Sequence, residues 1–300
     1  MIARRPLCRA LALRFLLPFF LLPAAGALHA GTGTDSTGQA VTVPDRGARV
    51  VSLSPGATET LFALGAGDQL VGVSDYCDHP PELVRGKPTV GGFSTPNIER
   101  IQVLAPHVVI STTVIPLHLK TQLENMGVSL FVANPGSLDQ YFEGVRQLGH
   151  LLGREREARA LIEKLRRRVD RITATLEAAG VEPVRTFIEV FDNPLFAAGS
   201  STLPGDLVRL AGGKVVPDTE SDYPRLSEEK LLMLNPQAVI LGHNVDLDRF
   251  LSTHRAVAGI DAIKNRRILI PDPDVFLRPG PRMVDALEEI ARFLHPEVFE

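Results

Sequence analysis

Residues 154–179 read REREARALIEKLRRRVDRITATLEAA, without glycine or proline and dominated by strong helix formers. Leu161, Leu165, Val169, Ile172, Leu176 and Ala179 recur at spacings of three or four and share one helix face. The remaining faces are charged, and Glu155–Arg159 and Glu163–Arg167 stand in the favourable order for i,i+4 pairs. Gly153 closes the preceding segment and Gly180 occupies a natural stop position. A helix of about 26 residues spans roughly 39 Å, the width of a domain. One narrow apolar stripe does not bury such a helix all round. It reads either as a surface or coiled-coil arm or as a rigid strut between two lobes, and the flanking sequence favours the strut.

The amino terminus reads as a targeting segment. Arg4, Arg5, Arg9 and Arg14 form a basic region, Phe15–Leu22 an apolar run broken by Pro18, and Ala25-Gly26-Ala27 a small-residue cleavage signal, with a second possible site after Ala30. The run is too short for a transmembrane helix, and Cys8 precedes it, which argues against a lipid anchor. Residues 1–30 are thus expected to be a signal peptide and the mature chain an exported, periplasmic protein. That chain is long enough for two cored lobes. Its one cysteine, Cys77, forms no intramolecular disulfide. A net charge of −3 argues against nucleic acid as a partner. The basic run Arg166–Arg168 reads as a solvated helix face.

Before residue 153 the chain alternates strand and helix. Thr32–Gln39 reads as a flexible polar leader and Val41–Val43 as a short edge strand. Strands are expected at Arg49–Leu53, Leu70–Val73, Val108–Ser111 and Ser129–Val132. Helices are expected at Ala57–Leu64, Asn97–Leu104, Leu117–Met126 and Leu138–Leu152, with a Pro- and Gly-rich irregular stretch at Ser74–Pro96. After residue 180 the plan repeats, with strands at Arg185–Val190, Ala238–Leu241 and Arg267–Ile270 and helices at Leu203–Ala211, Ser227–Leu234 and Arg282–Leu294. Alternation of this kind implies parallel, sandwiched sheets. One segment recurs closely: Asn97 to Ile110 and Ser227 to Ile240 each open with a capping side chain, carry a glutamate two residues later, end the helix one residue before proline and enter a strand. The fold class expected is α/β, two Rossmann-like lobes with central parallel sheets (31–152 and 181–300) joined by one long rigid helix (153–180). The loops after the strands should line the cleft between them.

The stretches Arg49-Val50-Val51-Ser52-Leu53-Ser54-Pro55, Val71-Gly72-Val73-Ser74-Asp75-Tyr76-Cys77-Asp78-His79-Pro80-Pro81, Gly92-Phe93 and Leu210-Ala211-Gly212-Gly213, with the Asn97 helix and the strut, carry a family resemblance. The chain resembles the class III, helical-backbone substrate-binding proteins of ABC importers for cobalamin, haem and ferric siderophores. It is most similar to cobalamin-binding members. The resemblance implies capture of a corrinoid in the cleft by a monomer, and delivery to a permease dimer driven by its ATPase. Haem or a ferric siderophore is the alternative cargo.

Aromatic side chains suit a broad flat macrocycle. The chain has no tryptophan, where the resemblance would lead to Trp. Tyr76 and Phe93 lie in the irregular stretch, Phe196 follows the first strand of the second lobe, Tyr223 precedes the Ser227 helix, and Phe276 sits in the Pro271–Pro281 loop; all five are candidate contacts. Tyr141, inside a helix, reads as structural. Asp274-Val275-Phe276-Leu277-Arg278 resembles the stretch where cobalamin binders contact ligand from the second lobe, with Asp274 and Arg278 suited to amide or propionate groups. Arg282 is expected to cap or pair near the last helix. Glu99 and Glu229 match residues that the resemblance pairs with permease arginines. Cys77, His79, His107, His118 and His243 form no close-spaced metal motif, so no metal site or cofactor is expected. Cys77 or His79 remains open as an axial ligand to a bound metal chelate, and His107 reads as structural. No nucleophile elbow or phosphate-binding loop is present, so catalysis is not expected. A metal-cluster enzyme on this plan needs several cysteines, and a ligand-free interaction or sensory protein is the other alternative.

Overall fold

The computed structural model describes residues 30–44, 47–113, 115–219 and 221–299. The signal-peptide reading, Ala30 apart, lies outside the described residues. From the amino end, β1 (Ala30–Thr34) and β2 (Ala40–Pro44) pair antiparallel. The expected flexible leader is thus half of a hairpin. Asp35 closes its turn by accepting from the backbone N–H groups of Thr37 and Gln39 at 2.9 Å each, and Ser36 N–H donates to the Val132 carbonyl at 2.8 Å.

The first lobe then runs β3 (Val50–Ser52), α1 (Pro55–Ala63), β4 (Leu70–Val73), α2 (Pro81–Val84), α3 (Ile98–Leu104), β5 (Val108–Ser111), α4 (Leu117–Asn125), β6 (Ser129–Val132) and α5 (Leu138–Leu152). Its sheet is parallel, in the order β4-β3-β5-β6. Every residue of β3 and β5 is buried, as a sheet covered on both faces requires.

The helix expected from residue 154 is α6 (Glu155–Ala179), ended by Gly180 at φ 61°. Ala158, Leu165, Val169, Ile172 and Leu176 are buried, whereas Ala179 is exposed. One end of α6 packs on α5. At Gly149 any side chain would collide with Ala158, 2.6 Å from an added Cβ, so glycine there sets the approach of the two helices. Neither expected i,i+4 pair forms. Arg168 instead leaves α6 to reach Asp285 at 2.7 Å and Glu288 at 3.1 Å in the second lobe. These charges tie the strut to its neighbours rather than decorating its surface.

The second lobe comprises β7 (Val184–Asp192), β8 (Leu195–Ala197), α7 (Leu203–Leu210), β9 (Gly213–Val215), α8 (Glu228–Leu234), β10 (Ala238–Leu241), α9 (Leu247–Thr253), α10 (Asp261–Lys264), β11 (Ile268–Leu269), α11 (Pro273–Phe276) and α12 (Met283–Leu294). Its sheet has the order β11-β10-β7-β8, with β9 also on β7; only β8 is antiparallel. The short strands β8 and β9 escape a periodicity reading because three residues carry no resolvable alternation.

The repeated segment is a structural repeat. Asn97 caps α3 by accepting from Arg100 N–H at 2.8 Å, and Ser227 caps α8 by accepting from Lys230 N–H at 3.2 Å. Both helices end in the left-handed region, at Ala105 (φ 42°) and Asn235 (φ 40°). Arg49 donates to the Leu104 carbonyl at 2.6 Å, and Arg185 to the Asn235 carbonyl at 2.8 Å. His107 Nδ1 accepts from Arg49 N–H at 2.9 Å, where Gln237 accepts from Arg185 N–H at 2.9 Å, so His107 is structural as expected.

Candidate functional site: the cleft between the lobes

The carboxyl ends of the two sheets face each other. Gly56, just after β3, lies against Pro279, just after α11, so closely that a Cβ would overlap the Pro279 carbonyl. Glu59 on α1, almost fully buried, receives a bidentate pair from Arg282, with Nη2–Oε1 at 2.7 Å and Nε–Oε2 at 2.9 Å. Arg282 thus does pair near the last helix, but its partner is in the other lobe. Farther out, Arg278 donates to Asp78 at 2.6 Å and pairs with Asp274 at 2.7 Å. Leu138 N–H at the start of α5 donates to Asp206 of α7 at 2.9 Å. The lobes are therefore clamped on each side of the space their loops enclose.

Tyr76 and Phe93 stand at the rim of the first lobe. They are 56% and 40% exposed, and their rings meet edge to face at 5.7 Å between centroids. Large aromatic rings left in water are informative in a way that isolated exposed aliphatics are not. From the second lobe, Tyr223 is 52% exposed and Phe196 half-buried. Tyr223 adjoins Asp222, whose partner Ser201 lies against Gly136 of the first lobe. Phe191, across the β7–β8 ladder from Phe196, is 52% exposed; the sequence reading ended the strand at Val190 and did not single this ring out.

The structure corrects the reading of Phe276. Its ring has no exposed surface: it packs in the apolar core against the backbone of Gly242, 3.2 Å from where a Cβ would stand there. The short helix α11 turns this ring inward. Val275 and Leu277 are half-buried and pack against the same core. Asp274 and Arg278 remain at the cleft, but engaged with each other and with Asp78. That guanidinium holds the Asp78 carboxyl below its ordinary value.

Cys77 is withdrawn as a metal ligand. It is buried, its sulfur receives Thr58 Oγ1–H at 3.1 Å and lies 3.3 Å from Ser74 Oγ, and burial pushes the thiol up, away from the thiolate a metal needs. Tyr141 is buried with its hydroxyl 3.1 Å from Thr60 Oγ1 and is structural, as expected. Among the described residues no cluster of three or more metal-ligating side chains is present. A cavity of about 540 Å³ lies between α1, α5 and the β1–β2 hairpin; its lining includes Thr60, Phe131 and Tyr141 but none of Tyr76, Phe93, Tyr223 or Arg278. Glu99 and Glu229 are both exposed, each in the first turn of its helix, where the dipole favours an anion.

Two α/β lobes joined by one long helix, with exposed aromatic rings on both, define a two-lobed solute-binding protein. The family profile for periplasmic binding proteins matches residues 50–275, and the chain belongs to that family. A vitamin B12-binding protein of Vibrio cholerae is 28% identical over 249 residues, covering 82% of this chain and 88% of its own. The solved periplasmic vitamin B12 binding protein BtuF of Vibrio cholerae superposes with a TM-score of 0.70 at 26% identity, covering 83% of this chain and 96% of its own. A periplasmic haem-binding protein of Pseudomonas aeruginosa superposes with a TM-score of 0.74 at 27% identity, covering 83% and 92%. No helix among the described residues is long and apolar enough to cross a membrane.

Proposed function

We propose that this protein captures a corrinoid in the periplasm, between its lobes, and delivers it to an ABC importer. The observation that carries the reading is the exposed Tyr76–Phe93 pair, set at the carboxyl edge of the first lobe with Tyr76 inside the distinctive stretch Val71–Pro81. Two rings inclined at 63° offer a face and an edge to a flat macrocycle, and each is large enough to anchor it through apolar area. Phe196, Phe191 and Tyr223 approach from the second lobe, and Arg278 and Asp274 supply groups for peripheral amides. The names of the relatives agree with this choice. Haem is the second reading, favoured by the likeness to the haem-binding structure and by Tyr76, whose phenol is also a possible iron donor. Glu99 and Glu229 are the proposed contacts to the permease, since the repeat presents the same carboxylate once on each lobe. Equilibrium dialysis of the mature protein against cyanocobalamin, ferric haem and a ferric siderophore tests the ligand class. Retention of the corrinoid alone is expected, and retention of haem or siderophore alone moves the assignment to that chelate.

A further inference from the structure

Strand β7 carries one wholly buried carboxyl side chain. Glu189 has no exposed surface, and neither of its oxygens has a formed hydrogen bond. Nδ1 of His243 stands 2.8 Å from Oε2 but forms no hydrogen bond with it, so that nitrogen is unsatisfied as well. Two adjacent buried polar groups left in this state call for a purpose beyond packing. Their placement is rigid. Glu189 is in register with Leu241 at the end of β10, and the Gly242 N–H donates to the Glu189 carbonyl at 2.7 Å. A Cβ at position 242 would stand 2.8 Å from that carbonyl, so only glycine lets His243 leave the sheet there.

His243 is the second residue beyond β10, at the edge of the sheet from which the second lobe faces the first. Its ring is 27% exposed. Nδ1 points into the protein at Glu189, whereas Nε2 is not a buried, unpartnered atom and makes no hydrogen bond among the described residues. A carboxylate behind one imidazole nitrogen, with the other nitrogen open, is the arrangement that orients a histidine as a metal ligand and fixes its tautomer.

Building on the chelate-binding reading, we propose that His243 Nε2 is the axial donor to the metal centre of the bound macrocycle, with Glu189 as the positioning residue that accepts Nδ1–H. The exchange balances without an oxidant or reductant: the Nε2 lone pair forms the bond to the metal, the metal's axial water leaves as water, and any proton held by the buried Glu189 carboxyl passes to solvent as that carboxyl takes on Nδ1–H. A small ring rotation brings Nδ1–H into line with Oε2. The cargo this selects is a metal macrocycle with an exchangeable axial position. A ferric ion already wrapped by six siderophore oxygens offers none. Sequence spacing missed His243 because one axial bond needs one histidine, and the partner that orients it lies 54 residues earlier on a neighbouring strand.

The test compares aquacobalamin with cyanocobalamin, whose axial cyanide blocks exchange, using dialysis for retention and absorbance for ligation. Wild type is expected to retain both and to shift the absorption bands of the aqua form only. His243→Ala should lose the shift and any preference for the aqua form over the cyano form. Glu189→Gln should weaken the preference for the aqua form by about tenfold or more. Retention by wild type without a shift, an equal shift in His243→Ala, or a shift lost in His79→Ala but kept in His243→Ala overturns the proposal alone. Retention of neither corrinoid overturns the ligand reading and this inference with it.

Discussion

Arg278 and Asp78, 200 residues apart, meet across the cleft with Nη1–Oδ1 at 2.6 Å, while the same guanidinium holds Asp274 at 2.7 Å. The ion pair is a latch rather than a foundation. Asp78 is 59% exposed on its side chain, so water and salt screen it, and a surface pair of this kind contributes about 1 kcal/mol or less. The Asp78 carboxyl is held below its ordinary value, first by its bond to Arg278. For a depressed carboxylate the contribution is complete above the ordinary value and disappears as pH falls through the lowered one. Asp78→Asn should therefore change the melting temperature little while speeding ligand entry, and wild type should approach that faster rate only in strong acid. Stopped-flow binding across pH checks this, and equal rates for the two proteins would remove the latch. Because α6 holds the lobes, small-angle scattering should show little change in radius of gyration between the variant and wild type.

The inner pair behaves differently. Glu59 is nearly buried and bidentate with Arg282, so Glu59→Ala strands a guanidinium between the lobes. Breaking such a pair from one side costs about 3–5 kcal/mol. Chemical denaturation should show a loss of that size, and Glu59→Gln, which still accepts a hydrogen bond, should lose less. A loss below about 1 kcal/mol, the size of a surface pair, would place this contact in the same class as the latch.

The two aromatic groups should separate in mutagenesis. Tyr76→Ala is expected to weaken ligand binding by about 1–3 kcal/mol with little change in stability, because the ring is solvent-exposed in the free protein. Phe276→Ala should do the reverse, costing about 3–5 kcal/mol of folding stability through the cavity it leaves. Titration calorimetry beside thermal melts distinguishes the two. Weakened binding with full stability in Phe276→Ala would return that ring to the ligand site.

Those two rings also mark what sequence could and could not disclose. The strut was legible because 26 residues of uninterrupted period leave few alternatives, and the lobes because alternating strands and helices imply parallel sheets. The repeat was legible down to its caps. Direction of burial was not: Tyr76 and Phe276 both sit in loops rich in proline, and only the turn of α11 decides that one ring faces water and the other the core. Pairings across the lobes, such as Glu59 with Arg282, depend on how two separately formed units meet, and no local pattern records that. The β1–β2 hairpin failed for a related reason. Its glycines suggest flexibility until Gly31 and Gly33 are seen to be where the backbones of β1 and α5 touch.

Glu189 gives the free protein a pH signature. Burial, with the Asp192 charge adding to it, pushes its carboxyl up to about 8. A raised carboxyl binds its proton more tightly when folded than when unfolded, so stability is highest below the ordinary carboxyl range and falls as pH rises towards and through 8. Glu189→Gln, neutral throughout, should flatten that decline. Denaturant midpoints from pH 5 to pH 9 provide the measurement. Parallel curves for the two proteins would show that Glu189 carries no titration of its own in this range.

The last expectation concerns Glu99 and Glu229. The repeat places them at equivalent positions, each in the first turn of a capped helix and each exposed. Ser227 and the local backbone hold Glu229 below its ordinary value, so it stays ionised at any physiological pH. A helix dipole alone would favour both residues, and that would be a purely local role. What the dipole does not account for is the duplication: two related lobes present the same charge, as a partner with twofold symmetry would require. Rim charges steer and register a partner more than they hold it. The double variant Glu99→Ala, Glu229→Ala should therefore bind ligand within about threefold of wild type, well under 1 kcal/mol, yet fail to stimulate ATP hydrolysis by the reconstituted importer. Each single variant should lose less than the pair. Raised salt should reproduce part of the defect in wild type, because exposed charges are screened within about 8–10 Å at ordinary ionic strength. Full stimulation by the double variant would reduce both glutamates to helix-end residues.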